Sequence, residues 1–142
     1  KLKKLKIPRD LIKEISKLKS GKDINLDGKK IKSKDMTYLQ NGKKIAIVLD
    51  TRDNKNIIDV AKDADLFISE STYLNEEKEL AESYFHLTSK QAAESAKKAK
   101  AKKLILVHIS QKHELNGLKM LNEAKSIFKN TILGEDLMRI EV

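Results

Sequence analysis

The amino-acid sequence predicts an α/β fold built on a parallel sheet, and three observations carry the prediction. The segments Ile-Ala-Ile-Val-Leu at 45 to 49, Leu-Phe-Ile at 66 to 68 and Leu-Ile-Leu-Val at 104 to 107 are apolar throughout, without polar alternation. Runs of this kind fit strands buried on both faces, as crossover helices make them in parallel sheets. Segments of helical periodicity separate the runs, and the runs lead into residues capable of chemistry: Asp50, Glu70 and His108.

Taken in order, the elements are short. Leu11, Ile12, Ile15 and Leu18 lie at helical spacing behind Pro8, a favoured first helical position, and Gly21 follows, so residues 8 to 19 should form an amphipathic helix. Ile24-Asn25-Leu26, then Asp27-Gly28, then residues 29 to 32 read as a β-hairpin, because Asp-Gly supplies the positive φ of a tight primed turn. Residues 33 to 42 lack periodicity and are expected to be loop. After the first apolar run, Ile57, Ile58, Val60 and Ala61 predict a helix, and helical stretches follow at 76 to 84 and 88 to 100. Thr88 and Gln91 have capping-box spacing at the start of the second stretch, which leaves His86 just outside a helix N-terminus. A last helix is expected near 117 to 128 and a closing strand at 137 to 142. No repeat and no linker is evident, so the expectation is one unit over 1 to 142. Within it, residues 1 to 42 form a basic helix, hairpin and loop, and residues 43 to 142 carry the alternating strands and helices.

Composition narrows the function classes. The chain has 142 residues, 39% hydrophobic and 36% charged, with Gly 5 and Pro 1, which excludes disordered, low-complexity and collagen-like chains. Its apolar runs are far shorter than the roughly 18 residues of a membrane span, and its first residues are too lysine-rich for a signal sequence. No membrane association is expected. With Cys 0 there are no disulfides, a transition-metal site must draw on His, Asp and Glu, and a reducing cytoplasm is the expected compartment. The first residue is Lys1 rather than Met, as in a chain processed or cut from a longer one. Residues 1 to 49 hold 15 Lys and Arg against 5 Asp and Glu, whereas residues 50 to 142 hold 15 against 16, so the entire +9 excess lies at the front. That suits a phosphate backbone. Lysine outnumbers arginine 27 to 3, however, and lysine-rich surfaces also arise from heat adaptation, so charge alone leaves nucleic-acid binding open.

In open α/β sheets ligands bind beyond the carboxyl ends of the strands. If the three runs are parallel neighbours, Asp50, Glu70 and His108 emerge along one rim, within reach of His86. Taken alone, each residue is better read as a turn, cap or strand-end residue; the four together make a site-like set. As a metal site the set is incomplete, since zinc takes three or four protein ligands, Asp50 and His108 supply two, and no His-x-His or His-Glu-x-x-His pair occurs. There is no Gly-x-Gly-x-x-Gly, phosphate-binding loop or Gly-x-Ser-x-Gly elbow, which removes the usual support for nucleotide binding or serine hydrolysis.

Five ordered segments are more specific. They are Lys-Lys-Ile-Ala-Ile-Val-Leu-Asp-Thr-Arg-Asp-Asn at 43 to 54, Asp-Leu-Phe-Ile-Ser-Glu-Ser-Thr-Tyr at 65 to 73, His-Leu-Thr-Ser-Lys-Gln-Ala-Ala-Glu at 86 to 94, Leu-Val-His-Ile-Ser at 106 to 110 and Ile-Leu-Gly-Glu-Asp-Leu-Met at 132 to 138. In order and spacing, from about Ile7 onward, the chain resembles the C-terminal half of ribonuclease Z, the tRNA 3′-processing endonuclease of the metallo-β-lactamase superfamily. The resemblance implies half of a four-layer αββα metallo-β-lactamase fold, a parallel or mixed sheet with helices on one face and an apolar opposite face. It also implies a zinc enzyme with about two ions per subunit, as two-metal sites have, acting on precursor tRNA as a cytoplasmic homodimer.

Residue by residue, the resemblance makes Asp50 the aspartate that bridges two zinc ions and His108 the last histidine ligand of the second. Glu70 corresponds to the glutamate of a His-Glu-Ala-Thr segment and His86 to the histidine of a His-Ser-Thr segment, a pair that delivers a proton to the leaving oxygen. Lys112 stands where the family usually has a phosphate-holding Arg, and Arg52 and Thr88 are further expected substrate contacts. Ser69, Ser71, Leu87 and His113 depart from the usual His, Ala, Ser and Tyr. The family's His-x-His-x-Asp-His motif, third metal-binding His and tRNA-binding arm would all precede this chain, which is therefore expected to be half an enzyme and inactive alone. Two alternatives remain: another hydrolase of the superfamily, or a non-catalytic RNA-binding or assembly fragment using the lysine-rich front.

Overall fold

The structure is a computed structural model that describes residues 9 to 142. These fall into two compact units divided between Gly42 and Lys43, where the sequence pattern changes.

In the first unit, α1 (Arg9–Lys19) ends as its sequence requires. Gly21 takes φ +83°, its N–H donates to Leu18 O and the Lys22 N–H donates to Lys17 O, so two terminal carbonyls that the helix leaves unpaired are satisfied. The hairpin β1 (Ile24–Leu26) and β2 (Lys29–Ile31) pairs Leu26 with Lys29 across a two-residue turn. Asp27 and Gly28 there both have positive φ, 49° and 75°, the geometry that matches the twist of the flanking strands. The segment expected to be loop begins instead with one helical turn, α2 (Ser33–Met36). Hydrogen bonds hold it to the end of α1 and the start of the hairpin: the Ser33 N–H donates to Asp23 Oδ1 at 3.0 Å and the Ser33 hydroxyl to Leu18 O at 2.7 Å, while Thr37 Oγ1 donates back to Ser33 O at 2.9 Å. A single turn is too short to leave a periodic signal.

The second unit runs β3 (Ile45–Val48), α3 (Lys55–Ala61), β4 (Leu66–Glu70), α4 (Lys78–Ser83), α5 (Ser89–Lys98), β5 (Leu104–Val107), α6 (Gly117–Lys125) and β6 (Thr131–Leu133). The sheet order is β3-β4-β5-β6, and all three pairings are parallel. Among the described strands the sheet is therefore parallel rather than mixed, because each strand is followed by a helix that returns the chain in the same direction. The closing strand also differs from expectation: it is Thr131–Leu133, with the Leu104 N–H donating to Asn130 O and the Gly134 N–H to Leu106 O. Residues 137 to 142 form no strand, and Leu137 stands exposed with φ +64°. Three residues are too few to show as an apolar run, whereas the alternation at 137 to 142 imitates one.

Register separates the two faces. Ala46, Phe67, Leu104 and Leu106 point to a core completed by Ile57 and Ala61 of α3, Ala92, Ala93 and Ala96 of α5, and Ala124 of α6. The alanines of α5 allow its backbone to approach the sheet, and Phe67 fills the space fully buried. The opposite face presents Ile45, Ile47, Leu66, Ile68, Ile105, Val107 and Ile132, so it is apolar, as expected. The inner strands β4 and β5 bury both faces, but in edge strand β3 Ile45 is 52% and Ile47 58% exposed, so burial of that run on both sides does not hold.

Asp65 anchors the amino end of the sheet. Its Oδ2 accepts from the Lys44 N–H at 2.8 Å and its Oδ1 from Lys102 Nζ at 2.7 Å. The Lys102 ammonium first, and the Lys44 N–H second, lower its pKa to about 2. A depressed carboxylate contributes stability above its unfolded value, near 3.9, and loses it as pH falls toward 2. Asp65→Asn should accordingly flatten the acid limb of stability between about pH 4 and pH 2, read as urea midpoints against pH. An unchanged acid limb would show that the contact is not felt.

Candidate active site at the carboxyl rim

Strand geometry brings three of the predicted residues to one edge, and loop geometry adds the fourth. Asp50 and His108 each stand just past a strand end with positive φ, 48° and 54°. Asp and His are among the non-glycine residues that tolerate this region best, and such outliers gather where a side chain must be aimed. Glu70 is the last residue of β4 and fully buried.

The surroundings of Glu70 explain how a carboxylate survives there. Its Oε1 accepts from the Thr51 N–H at 2.6 Å; its Oε2 accepts from the Leu87 N–H at 3.0 Å and the Thr72 hydroxyl at 2.8 Å, and faces His86 Nδ1 at 3.1 Å. A buried charge is tolerable only with such a full set of partners. These bonds also tie the loop after β3 and the loop before α5 to the end of β4, which places His86. The Thr72 hydroxyl lies 2.9 Å from His108 Nδ1, and His108 Nε2 lies 3.3 Å from Asp50 Oδ1. The imidazoles of His86 and His108 are neighbours, with centroids 5.2 Å apart and planes tilted by 36°.

Asp50, His86 and His108 each present one ligand atom, all within 4.8 Å of one another. One carboxylate oxygen and two imidazole nitrogens suit a borderline ion such as zinc, though they fall short of the closed set of a structural site. The Asp50 and His108 pair itself calls for positive charge. A cation shared by the carboxylate oxygen and the ring nitrogen would supply it, and without one the exposed Asp50 side chain can turn away into solvent.

The remaining predicted contacts divide. The Arg52 guanidinium lies 4.9 Å from the centroid of the exposed Phe85 ring, next to His86 in the chain, so it stands at the lip of the cluster. Thr88 does not present its hydroxyl to a ligand: it is fully buried, its Oγ1 accepts from the Gln91 N–H at 3.2 Å, and its N–H donates to Gln91 Oε1 at 2.9 Å. The capping box that was legible in the sequence consumes it. Lys112 is already engaged, its ammonium paired with Glu77, which raises the lysine pKa. Burial pushes the Glu77 carboxyl up, but Lys112 and His113 together bring it below its ordinary value. His113 is buried with Nε2 on Glu77, and its Nδ1 has no hydrogen-bond partner among the described residues.

Sequence reasoning missed Thr72 and the backbone of Thr51. The register supplies the signal for the former, since Glu70 pairs with Val107 and the residues just beyond, Thr72 and His108, become neighbours. Spacing along the chain does not reveal that pairing.

No protein-family model matches the chain. Individual proteins do. It is 43% identical over 125 residues to ribonuclease Z of Protochlamydia amoebophila, covering 87% of this chain and 40% of that protein. It is 39% identical to ribonuclease Z of Lactobacillus helveticus over the whole of this chain and 46% of that one. Among solved structures, human tRNase Z, short form, aligns with TM-score 0.55 at 27% identity, over 79% of this chain and 36% of that chain. The Bacillus subtilis metallo-β-lactamase fold protein YhfI aligns with TM-score 0.57 at 26% identity, over 64% and 36%. The chain thus spans less than half the length of the curated relatives it matches. The resemblance read from the five segments is borne out, and the fold is a part of the metallo-β-lactamase fold.

Proposed function

We propose that this chain forms part of the active centre of a zinc-dependent endoribonuclease that cleaves precursor tRNA to give the mature 3′ end. The observation that carries this is the convergence of Asp50, His86 and His108 around buried Glu70, in a chain similar to ribonuclease Z over most of its length. Because the chain spans less than half of such relatives, the other metal ligands would come from the rest of a longer protein.

Asp50 and His108 would hold metal, which when bound provides a hydroxide nucleophile at neutral pH and offsets charge on the phosphorus. His86 turns Nδ1 to Glu70, and its Nε2 has no hydrogen-bond partner among the described residues. The proton that departs with the leaving ribose oxygen is handed over from that nitrogen, while Glu70 fixes the plane of the ring. Arg52, its guanidinium stacked on Phe85, contacts phosphate near the cut. The lysine-rich front follows the tRNA backbone, and the expected state is a homodimer in the cytoplasm.

Cleavage assays on the whole gene product test the reading. A precursor tRNA bearing a 3′ trailer should be cut to the mature end by protein holding about two zinc ions per subunit, and chelation should abolish the cut. A zinc-loaded protein that spares the trailer but hydrolyses DNA or a small ester would move the assignment to another superfamily hydrolase. Binding of tRNA with neither zinc nor cleavage would leave an RNA-binding fragment.

A further inference from the structure

We propose that Thr72 is a positioning residue that relays the hydrogen-bond polarity of Glu70 to His108 and so sets which nitrogen of His108 faces the site. The inference deepens the reading of this rim as a metal-assisted nuclease centre, and its functional part rests on that reading. Glu70 accepts from a backbone N–H on each carboxylate oxygen, Thr51 on Oε1 and Leu87 on Oε2, and these donors cannot be reversed. The Thr72 hydroxyl, 2.8 Å from Oε2, gives its one proton to that carboxylate. Its oxygen is thereby left as an acceptor toward His108 Nδ1, 2.9 Å away. A hydroxyl has one proton and two lone pairs, so with the proton committed the ring must supply the other one. His108 is held as the Nδ1–H form, with the lone pair on Nε2.

That lone pair points where it is useful. Nε2 lies 3.3 Å from Asp50 Oδ1, so a cation placed there meets a nitrogen and an oxygen that both donate electrons. The same oxygen Oε2 also orients His86 through Nδ1, 3.1 Å away. One buried carboxylate therefore orients both imidazoles, directly for His86 and through Thr72 for His108. Thr72 is 5% exposed, so water does not readily replace its hydroxyl. Partners one layer behind a metal ligand commonly matter by 10- to 100-fold in affinity, and fixing the ligand's tautomer is how they act.

The test is nitrogen NMR of the imidazoles in the metal-free 142-residue chain, which contains only His86, His108 and His113. In neutral imidazole, His108 should show a protonated Nδ1 and a bare Nε2. Thr72→Val, close in shape but without the hydroxyl, should release His108 to the Nε2–H form or a mixture, and Thr72→Ser should restore the original pattern. His113, buried and engaged with Glu77, serves as the folding reference in the same spectra. In the whole gene product the same Val substitution should weaken zinc binding about 10- to 100-fold, with Ser recovering most of it. A wild-type His108 already in the Nε2–H form overturns the relay whether or not the variant folds, and so does an unchanged pattern in Thr72→Val. If the tautomer responds as expected but the whole protein binds no zinc, the relay stands and the nuclease reading fails.

Discussion

Asp50→Ala should abolish cleavage of a precursor tRNA by the whole protein and remove most of its zinc, while leaving the fold nearly as stable as before. The stability half follows from position: the carboxylate is 69% exposed at the rim, and its contact with His108 is an exposed pair worth little to folding. Alanine does meet a small penalty at φ +48°, of order 1 kcal/mol, so a slight fall in melting temperature is part of the expectation. The functional half follows from the donor set. Asp50 provides the only carboxylate among the three clustered ligand groups. Groups one layer behind a metal commonly matter by 10- to 100-fold, so losing the anionic ligand itself should exceed about 10²-fold in rate. Asp50→Asn keeps the shape and removes the charge, and it should fail almost as badly. Elemental analysis and single-turnover assays on one preparation decide the matter, and two zinc ions retained per subunit after Asp50→Ala would sink the assignment.

How much of this was legible in the sequence follows the range of the interactions. Local signals read well: the Asp27-Gly28 turn, the Gly21 helix stop and the Thr88-Gln91 capping box all depend on residues within a few positions of one another. The three continuous apolar runs located β3, β4 and β5, although only the inner strands β4 and β5 bear out the burial that such runs suggest. What failed was either too short or too distant. A three-residue strand at 131 to 133 and a one-turn helix at Ser33 lie below the length at which periodicity can be counted. The site was half legible for the same reason. Asp50, Glu70 and His108 could be placed on a rim by their strand ends alone, but the bonds that organise them, from Thr51, Thr72 and Leu87 to Glu70, cross between strands and loops. Lys112 shows the converse. Its place in the chain fits a phosphate contact, yet Glu77, 35 residues away, holds its ammonium.

His86→Ala should lower the single-turnover cleavage rate by about 10²- to 10⁴-fold, the range for loss of a general acid. The structure sharpens what must be measured alongside it. His86 is near enough to Asp50 and His108 to count among possible ligands, so a rate loss alone does not separate a proton donor from a metal ligand. Zinc content does: a general acid leaves the metal in place when it is removed, whereas a ligand takes affinity with it. Its contact with Glu70 favours the first role, since Nδ1 is occupied at 3.1 Å and the ring, 22% exposed, keeps one nitrogen for the reaction. Glu70→Gln cannot be read so directly. Four groups surround the two carboxylate oxygens, and an amide nitrogen turned toward any N–H leaves that donor unpaired in a buried place, at a cost of about 1 to 3 kcal/mol. The Glu70 variant should therefore lose melting temperature as well as rate. The double variant settles the coupling: if the two residues act as one unit, its rate should be little worse than that of the slower single variant. Additive losses would show that Glu70 supports the fold independently of proton transfer. A His86→Ala protein that keeps its rate and loses only melting temperature would return the imidazole to a structural part in closing the loop onto α5.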